Sequence, residues 1–182
     1  TLKLLFEQLK DIRKEVSIPI LLMGYLNPVM QYGYEEFCKS CQEVGIDGVI
    51  LPDLPLYEYK KEYKELFESH DLANTFLITP ETEPERIKEL DVLTNGFLYL
   101  VSSSSTTGKK SGIDGTIDYL SRVKDMNLTS PSLIGFNIKD SESYKIACKY
   151  SNGAIIGTAF IKAIANSNNF KTSIKDFVSS IR

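Results

Sequence analysis

The chain is poor in the residues that stitch small secreted proteins or drive imidazole chemistry: it has three cysteines, an odd number, and one histidine among 182 residues. With no charged-then-apolar leader, those cysteines argue for a reducing cytoplasm rather than secretion. The lone His70 follows a polar helical stretch, where it can serve the last carbonyls, so a His-based triad is not expected. No basic run forms a face, and 24 acidic against 21 basic residues give a net charge of -3, so the electrostatic footprint for nucleic acid is missing. The longest apolar runs, such as Ile20-Leu21-Leu22-Met23, fall far short of the roughly 20 residues that cross a bilayer. What is present, 42% hydrophobic and 25% charged residues, is the composition of one globular domain with a sizeable core. Its expected partner is a small molecule or another protein.

The apolar residues alternate between two periods. Leu2, Leu5, Phe6, Leu9 and Ile12 fall on one helical stripe. Ile18-Pro19-Ile20-Leu21-Leu22-Met23 is a continuous apolar run ending at Gly24, which reads as a strand buried on both faces of a parallel sheet. The pattern then repeats: helix around Tyr34 to Val44, strand Gly48 to Leu51, helix Tyr57 to Ser69, strand Asn74 to Ile78, helix Pro84 to Leu93. Thr82 and Glu85 bracket Pro84 as a capping box. Strand Phe97 to Val101 empties into a Ser-rich loop, 102–112, the longest in the chain. Helix Ile113 to Asn127, strand Ser132 to Phe136, helix Asp140 to Tyr150, strand Gly153 to Ile156, a short helix from Thr158 and a last helix from Phe170 to Ile181 follow.

These are about six β-then-α units without an intervening linker, so residues 1–182 are expected to form a single domain. A doubly wound sheet and a TIM barrel both fit the alternation. The barrel is favoured by the missing GxGxxG after the first strand, by polar and glycine-rich residues after each strand, and by glycine-bearing turns after the last two. Eight units need about 250 residues. The expectation is therefore a partial (β/α)8 barrel whose first two units lie ahead of Thr1, with exposed sheet edges that favour association or poor solubility.

The strongest local chemical signal is the pair of turns Gly135-Phe136-Asn137-Ile138 and Gly157-Thr158-Ala159. Each follows a strand, and the second opens a helix, so backbone N–H groups and the helix dipole suit a phosphate monoester. The competing reading is that these glycines only permit tight turns. Thr107-Gly108 in the Ser-rich loop reads as a lid or as a solvated linker. Tyr25 and Tyr99, at or next to strand ends, could stack on a ligand or pack in the core. Cys38 and Cys41 have C-x-x-C spacing but share a helical stripe with Phe37 and Val44, which favours buried core over metal or redox use. Asp53 and Glu81, just past strands, are the carboxylates best placed for acid–base work, and equally suit capping or surface contacts.

Six segments together resemble the tryptophan synthase alpha chain family. They are Leu22-Met23-Gly24-Tyr25-Leu26-Asn27-Pro28, the stretch Gly45 to Pro55 containing Pro52-Asp53-Leu54-Pro55, Leu77-Ile78-Thr79-Pro80, the loop Tyr99 to Gly108, Gly135-Phe136, and Gly153 to Ala159. The likeness runs over essentially the whole chain. It implies a TIM barrel that cleaves indole-3-glycerol phosphate to indole and glyceraldehyde 3-phosphate, passing indole to a beta chain that carries pyridoxal phosphate; the alpha chain itself needs no cofactor and no metal. By position it implies phosphate binding at Gly108, Gly157 and Thr158, with Phe136 and the backbone near Asn137 contributing. It further implies a lid at Thr107, an indole pocket lined by Tyr25 and Tyr99, and beta-chain contacts at Asn27, Pro28, Asp53 and Pro55.

Three departures accompany the resemblance. Asn137 stands where the family usually has glycine, and Asn tolerates positive φ better than most residues. Thr158 stands where Ser is common, which keeps a hydroxyl. The Glu and Asp that in the family protonate the indole ring and stabilise its nitrogen match no residue here and are expected upstream of Thr1, so no catalytic residue is assigned within the chain. The alternatives are another phosphate-binding barrel, or a truncated module that binds phosphate and partner without catalysis.

Overall fold

The computed structural model describes residues 1–101, 113–135, 137–165 and 167–181. The chain divides into two compact units: Thr1–Phe76 with Thr94–Gly96, and Leu77–Leu93 with the chain from Phe97 onward.

The first unit opens with α1 (Leu2–Leu9), β1 (Leu21–Met23), α2 (Leu26–Tyr32) and α3 (Tyr34–Val44). It continues with β2 (Gly48–Ile50), α4 (Leu56–Glu58), a π-helical turn at Tyr59–Tyr63, α5 (Lys64–Ser69) and the start of β3 (Ala73–Ile78). The strands are parallel and in chain order, with Leu21 opposite Gly48 and Gly48 opposite Ala73. Helix α1 buries Phe6 against Phe37 and Tyr32, with ring centroids 5.8 and 5.6 Å apart. Tyr59, Phe67 and Phe76 form a second aromatic cluster, Tyr59 meeting Phe76 edge-on at 5.1 Å. Cys38 and Cys41 are fully buried among these groups, as their place on the apolar stripe predicts.

One expectation fails here for an identifiable reason. The run Ile18 to Met23 is not a strand buried on both faces: β1 is three residues long, Met23 is 54% exposed and Ile18 70%. Among the described residues β1 pairs only with β2, so it lacks a second neighbour to cover it. The residues just before it are held by one backbone bond, Asp47 N–H to the Ile20 carbonyl at 2.9 Å, and otherwise by side chains. Arg13 donates through Nε to the Gly45 carbonyl (2.6 Å), through Nη1 to Val16 (3.2 Å) and Ile18 (2.7 Å), and through Nη2 to Asp47 Oδ2. That same oxygen accepts the Ile20 N–H at 2.6 Å. Helix α2 follows this strand and carries a proline in its first turn. Pro28 is the third residue of the helix, a position whose N–H has no intrahelical acceptor, so its absence costs nothing.

The second unit contains α6 (Pro84–Leu93), β4 (Leu98–Val101), α7 (Ile113–Asp125), β5 (Ser132–Gly135), α8 (Ser141–Tyr150), β6 (Gly153–Ala154), α9 (Thr158–Ala165) and α10 (Phe170–Ile181). Strands β4, β5 and β6 are parallel, Val101 opposite Gly135 and Ile134 opposite Ala154. The ladder extends by one bond past β6, Ile155 N–H to Ile134 carbonyl at 2.8 Å. Tyr119 on α7 is buried and donates to the Ile78 carbonyl at 2.9 Å, and Arg122 donates to that of Pro80 at 2.8 Å. These two bonds fix the turn after β3.

Buried Asp91 on α6 accepts from the Thr129 N–H and hydroxyl, both at 2.9 Å, and from the Ser130 N–H at 2.8 Å. Burial pushes its carboxyl up, but the hydrogen bonds from Thr129 and Ser130 outweigh that and hold it below its ordinary value. The capping box expected at Thr82 and Glu85 is out of register: the helix begins at Pro84, and Thr82 Oγ1 instead accepts the Thr79 N–H at 3.0 Å. A reciprocal box does occur at α8, where Asp140 accepts the Ser143 N–H at 2.9 Å and Ser143 Oγ accepts the Asp140 N–H at 3.1 Å.

Candidate functional site

In the second unit, the pairing of β5 with β6 brings the turns that leave their C-terminal ends side by side. The first turn contains Asn137 at φ +59°, the left-handed region, with its side chain exposed. The second begins at Gly157, which is exposed, immediately precedes α9 and has nothing within 4 Å of where a Cβ would sit. Its φ is not positive, so neither backbone strain nor crowding calls for glycine there. The first turn of α9 has no acidic residue, and Thr158 presents an exposed hydroxyl. A helix start with no acidic side chain and an open approach, next to a left-handed turn, is a backbone arrangement chemically suited to an anion.

Gly135 has a different reason to be glycine. Register puts Tyr99 and Gly135 on one face of the sheet, two residues offset along paired strands. A Cβ at Gly135 would fall on the Tyr99 hydroxyl and Cζ and within 2.5 Å of Cε1. Tyr99 is only 4% exposed, and burial raises its phenol above the ordinary value. Its ring is therefore packed inside the unit, with its hydroxyl end lying toward the end of β5. Thr107, Gly108 and Phe136 lie outside the described residues.

In the first unit, Tyr25 follows β1 and is 71% exposed, its ring unpacked at the strand end. Asn27 and Pro28 occupy the first turn of α2 and are exposed; Pro55 caps the start of α4 and is also exposed. Asp53, from the turn after β2, accepts the Leu26 N–H with both oxygens, at 2.9 and 3.1 Å. Of the roles open to Asp53, the structure gives it capping: it satisfies the first N–H of α2 from another loop and places a negative charge at that helix start. Two segments distant in sequence thus meet at one carboxylate. Glu81 sits exposed in the turn after β3.

The remaining reactive side chains are accounted for structurally. Burial pushes the Cys38 and Cys41 thiols up to about 12. His70 Nδ1 lies 2.9 Å from the Leu66 carbonyl at the end of α5, serving the helix terminus as its sequence position suggests. Among the described residues no group of three or more His, Cys, Asp or Glu side chains could hold a metal ion, and no helix is long and apolar enough to cross a membrane.

The model of the tryptophan synthase alpha chain family matches residues 1–181. The chain belongs to that family. The tryptophan synthase alpha chain of Flavobacterium psychrophilum is 55% identical over 182 residues, which are 100% of this chain and 71% of that one. The corresponding protein of Christiangramia forsetii is 52% identical over 179 residues, 98% and 69% of the two chains. The X-ray structure of the tryptophan synthase A-subunit from the hyperthermophile Pyrococcus furiosus superposes with a TM-score of 0.85 at 30% identity, covering 100% of this chain and 73% of that one.

The parallel β/α alternation is accordingly that of a partial TIM barrel, as expected, and the doubly wound alternative is set aside. Within a tryptophan synthase alpha chain, an enzyme family of tryptophan biosynthesis with lyase activity, strand C-terminal ends are where chemistry is housed. Tyr25, Asp53, Asn137, Gly157 and Thr158 all follow such ends here. Sequence reasoning missed the Asp53–Leu26 clasp because its two partners are 27 residues apart. A usable signal existed in the unsatisfied N–H groups of any helix beginning near Asn27-Pro28.

Proposed function

We propose that this chain supplies the phosphate-binding and partner-facing parts of a lyase that cleaves indole-3-glycerol phosphate to indole and glyceraldehyde 3-phosphate. It does so as one partial-barrel domain in the cytoplasm, alongside a beta chain that holds the pyridoxal phosphate; the alpha chain itself is assigned no cofactor and no metal. The observation that carries the reading is the exposed, uncrowded backbone at Gly157 beside the left-handed Asn137 turn. A substrate phosphate there would accept N–H groups at the start of α9 and the Thr158 hydroxyl. Gly108 and Phe136 are assigned to phosphate binding and Thr107 to the lid by the family resemblance. Tyr25, with its exposed ring, and Tyr99, by its hydroxyl end beside Gly135, are the residues we assign to the indole. Asn27, Pro28, Asp53 and Pro55 form the beta-chain face.

Retro-aldol cleavage needs a general acid at the indole ring carbon and a carboxylate opposite the ring nitrogen. Neither role is assigned to a residue of this chain, and the capping duty of Asp53 argues against recruiting it. The test is indole release from indole-3-glycerol phosphate by the full-length protein, with and without beta chain, in wild type and Gly157→Ala. Wild type should release indole, and Gly157→Ala should raise KM about tenfold or more, because the added Cβ would take up the open space in which the phosphate is proposed to sit. Binding of phosphate and beta chain without any indole release would favour the non-catalytic module instead.

A further inference from the structure

Helix α2 has no cap of its own. Tyr25, the residue before it, is extended at φ -92° and ψ 154° and makes no side-chain cap bond. Pro28 contributes no N–H, and the Leu26 N–H is taken up by both carboxylate oxygens of Asp53. The peptide between Tyr25 and Leu26 is therefore held by a side chain from the turn that leads through Pro55 into α4. On the elements this clasp joins, Tyr25 before α2, Met30 on α2 and Tyr57 on α4 are large side chains more than half exposed (71%, 53% and 68%). Asp53 thus holds, from the turn that leads into α4, the peptide that carries the Tyr25 backbone into α2.

We propose that Asp53 is a positioning residue for the substrate side of the barrel, tying the partner-facing turn 53–55 to the aim of Tyr25. The inference rests on the reading of Tyr25 as an indole-pocket residue and of Asp53 to Pro55 as beta-chain face. A partner that draws on the Asp53 turn changes the hold on the Leu26 N–H, and the Tyr25 ring follows because only one peptide separates them. No proton is transferred: the carboxylate accepts a hydrogen bond throughout. Asn at position 53 retains one acceptor oxygen and is the conservative variant, whereas Ala removes the clasp.

The experiment uses the full-length protein with its beta chain, comparing Asp53→Ala, Asp53→Asn, Tyr25→Ala and the Asp53→Ala/Tyr25→Ala double variant. Steady-state KM for indole-3-glycerol phosphate, measured without beta chain, should rise about tenfold in Asp53→Ala, the loss of one hydrogen bond to a charged group. Asp53→Asn should recover part of it, and the double variant should be no worse than the poorer single one. By NMR, the Leu26 amide should exchange faster in Asp53→Ala, and the shift of the Tyr25 ring signals on adding beta chain should vanish. Unchanged Leu26 exchange with an unaltered Tyr25 response, or KM effects that multiply in the double variant, overturns the proposal. A wild-type protein that neither turns over the substrate nor binds beta chain overturns the functional reading instead, and the Leu26 exchange still reports on the clasp.

Discussion

Replacing Gly135 by alanine tests whether the end of β5 is shaped by packing against Tyr99. The added Cβ meets the Tyr99 ring at three atoms, the farthest 2.5 Å away, where carbon contacts need about 3.5 Å or more. The ring is 4% exposed and lies in a strand between buried Leu98 and Leu100, so it has no free direction in which to retreat. Overpacking of this kind costs about 1–3 kcal/mol, and restriction of the unfolded chain by alanine returns about 0.4–1 kcal/mol. A net loss of about 1–2 kcal/mol lowers Tm by about 2–8 °C for a chain of this size. Urea and thermal unfolding followed by circular dichroism measure it. The decisive comparison is Gly135→Ala in a Tyr99→Leu background, where the shorter side chain leaves room and the cost should fall below about 0.5 kcal/mol. Equal costs in both backgrounds would refute the packing argument and leave Gly135 to be explained by its turn.

Three further outcomes follow from side chains outside the site. Asp91→Asn should cost about 2 kcal/mol near neutral pH by denaturant titration; because the folded carboxyl is depressed, its contribution is complete above the unfolded value near 4 and lost as pH falls through the lower folded one, so the gap between wild type and variant should close in acid. Arg13→Lys should lower stability by about 1 kcal/mol or more despite conserved charge, since an ammonium cannot reach the Gly45, Val16, Ile18 and Asp47 acceptors from one planar fork; a urea midpoint equal to wild type would contradict this. Tyr119→Phe leaves the buried Ile78 carbonyl without its 2.9 Å donor and should cost about 1–3 kcal/mol, read from the same titration.

Hydrophobic period made the helix and strand order legible, because amphipathic stripes and apolar runs are local. The same locality explains what was not legible. Whether Leu21 to Met23 is covered depends on a neighbour strand, and what takes up the Leu26 N–H at the start of α2 is a carboxylate 27 residues away. Arg13 and Asp47 are 34 residues apart, and their staple has no sequence period at all. At the site, glycine after a strand could be seen but not its cause: Gly135 answers to Tyr99, while Gly157 answers to nothing in its surroundings. Asn137 was the exception, a residue whose own side chain announces tolerance of the left-handed backbone it adopts.

The burial of Cys38 and Cys41 also makes the protein convenient to study. With both thiols pushed up to about 12, their reactive thiolate is scarce at neutral pH and shielded from reagents, whereas Cys148 on α8 is exposed. Of the three thiols in residues 1–182, a maleimide dye or spin label should attach at Cys148 alone. The reporter would then ride on the helix that follows the Asn137 turn, so the arrival of an anion at that turn could be watched in the unaltered protein.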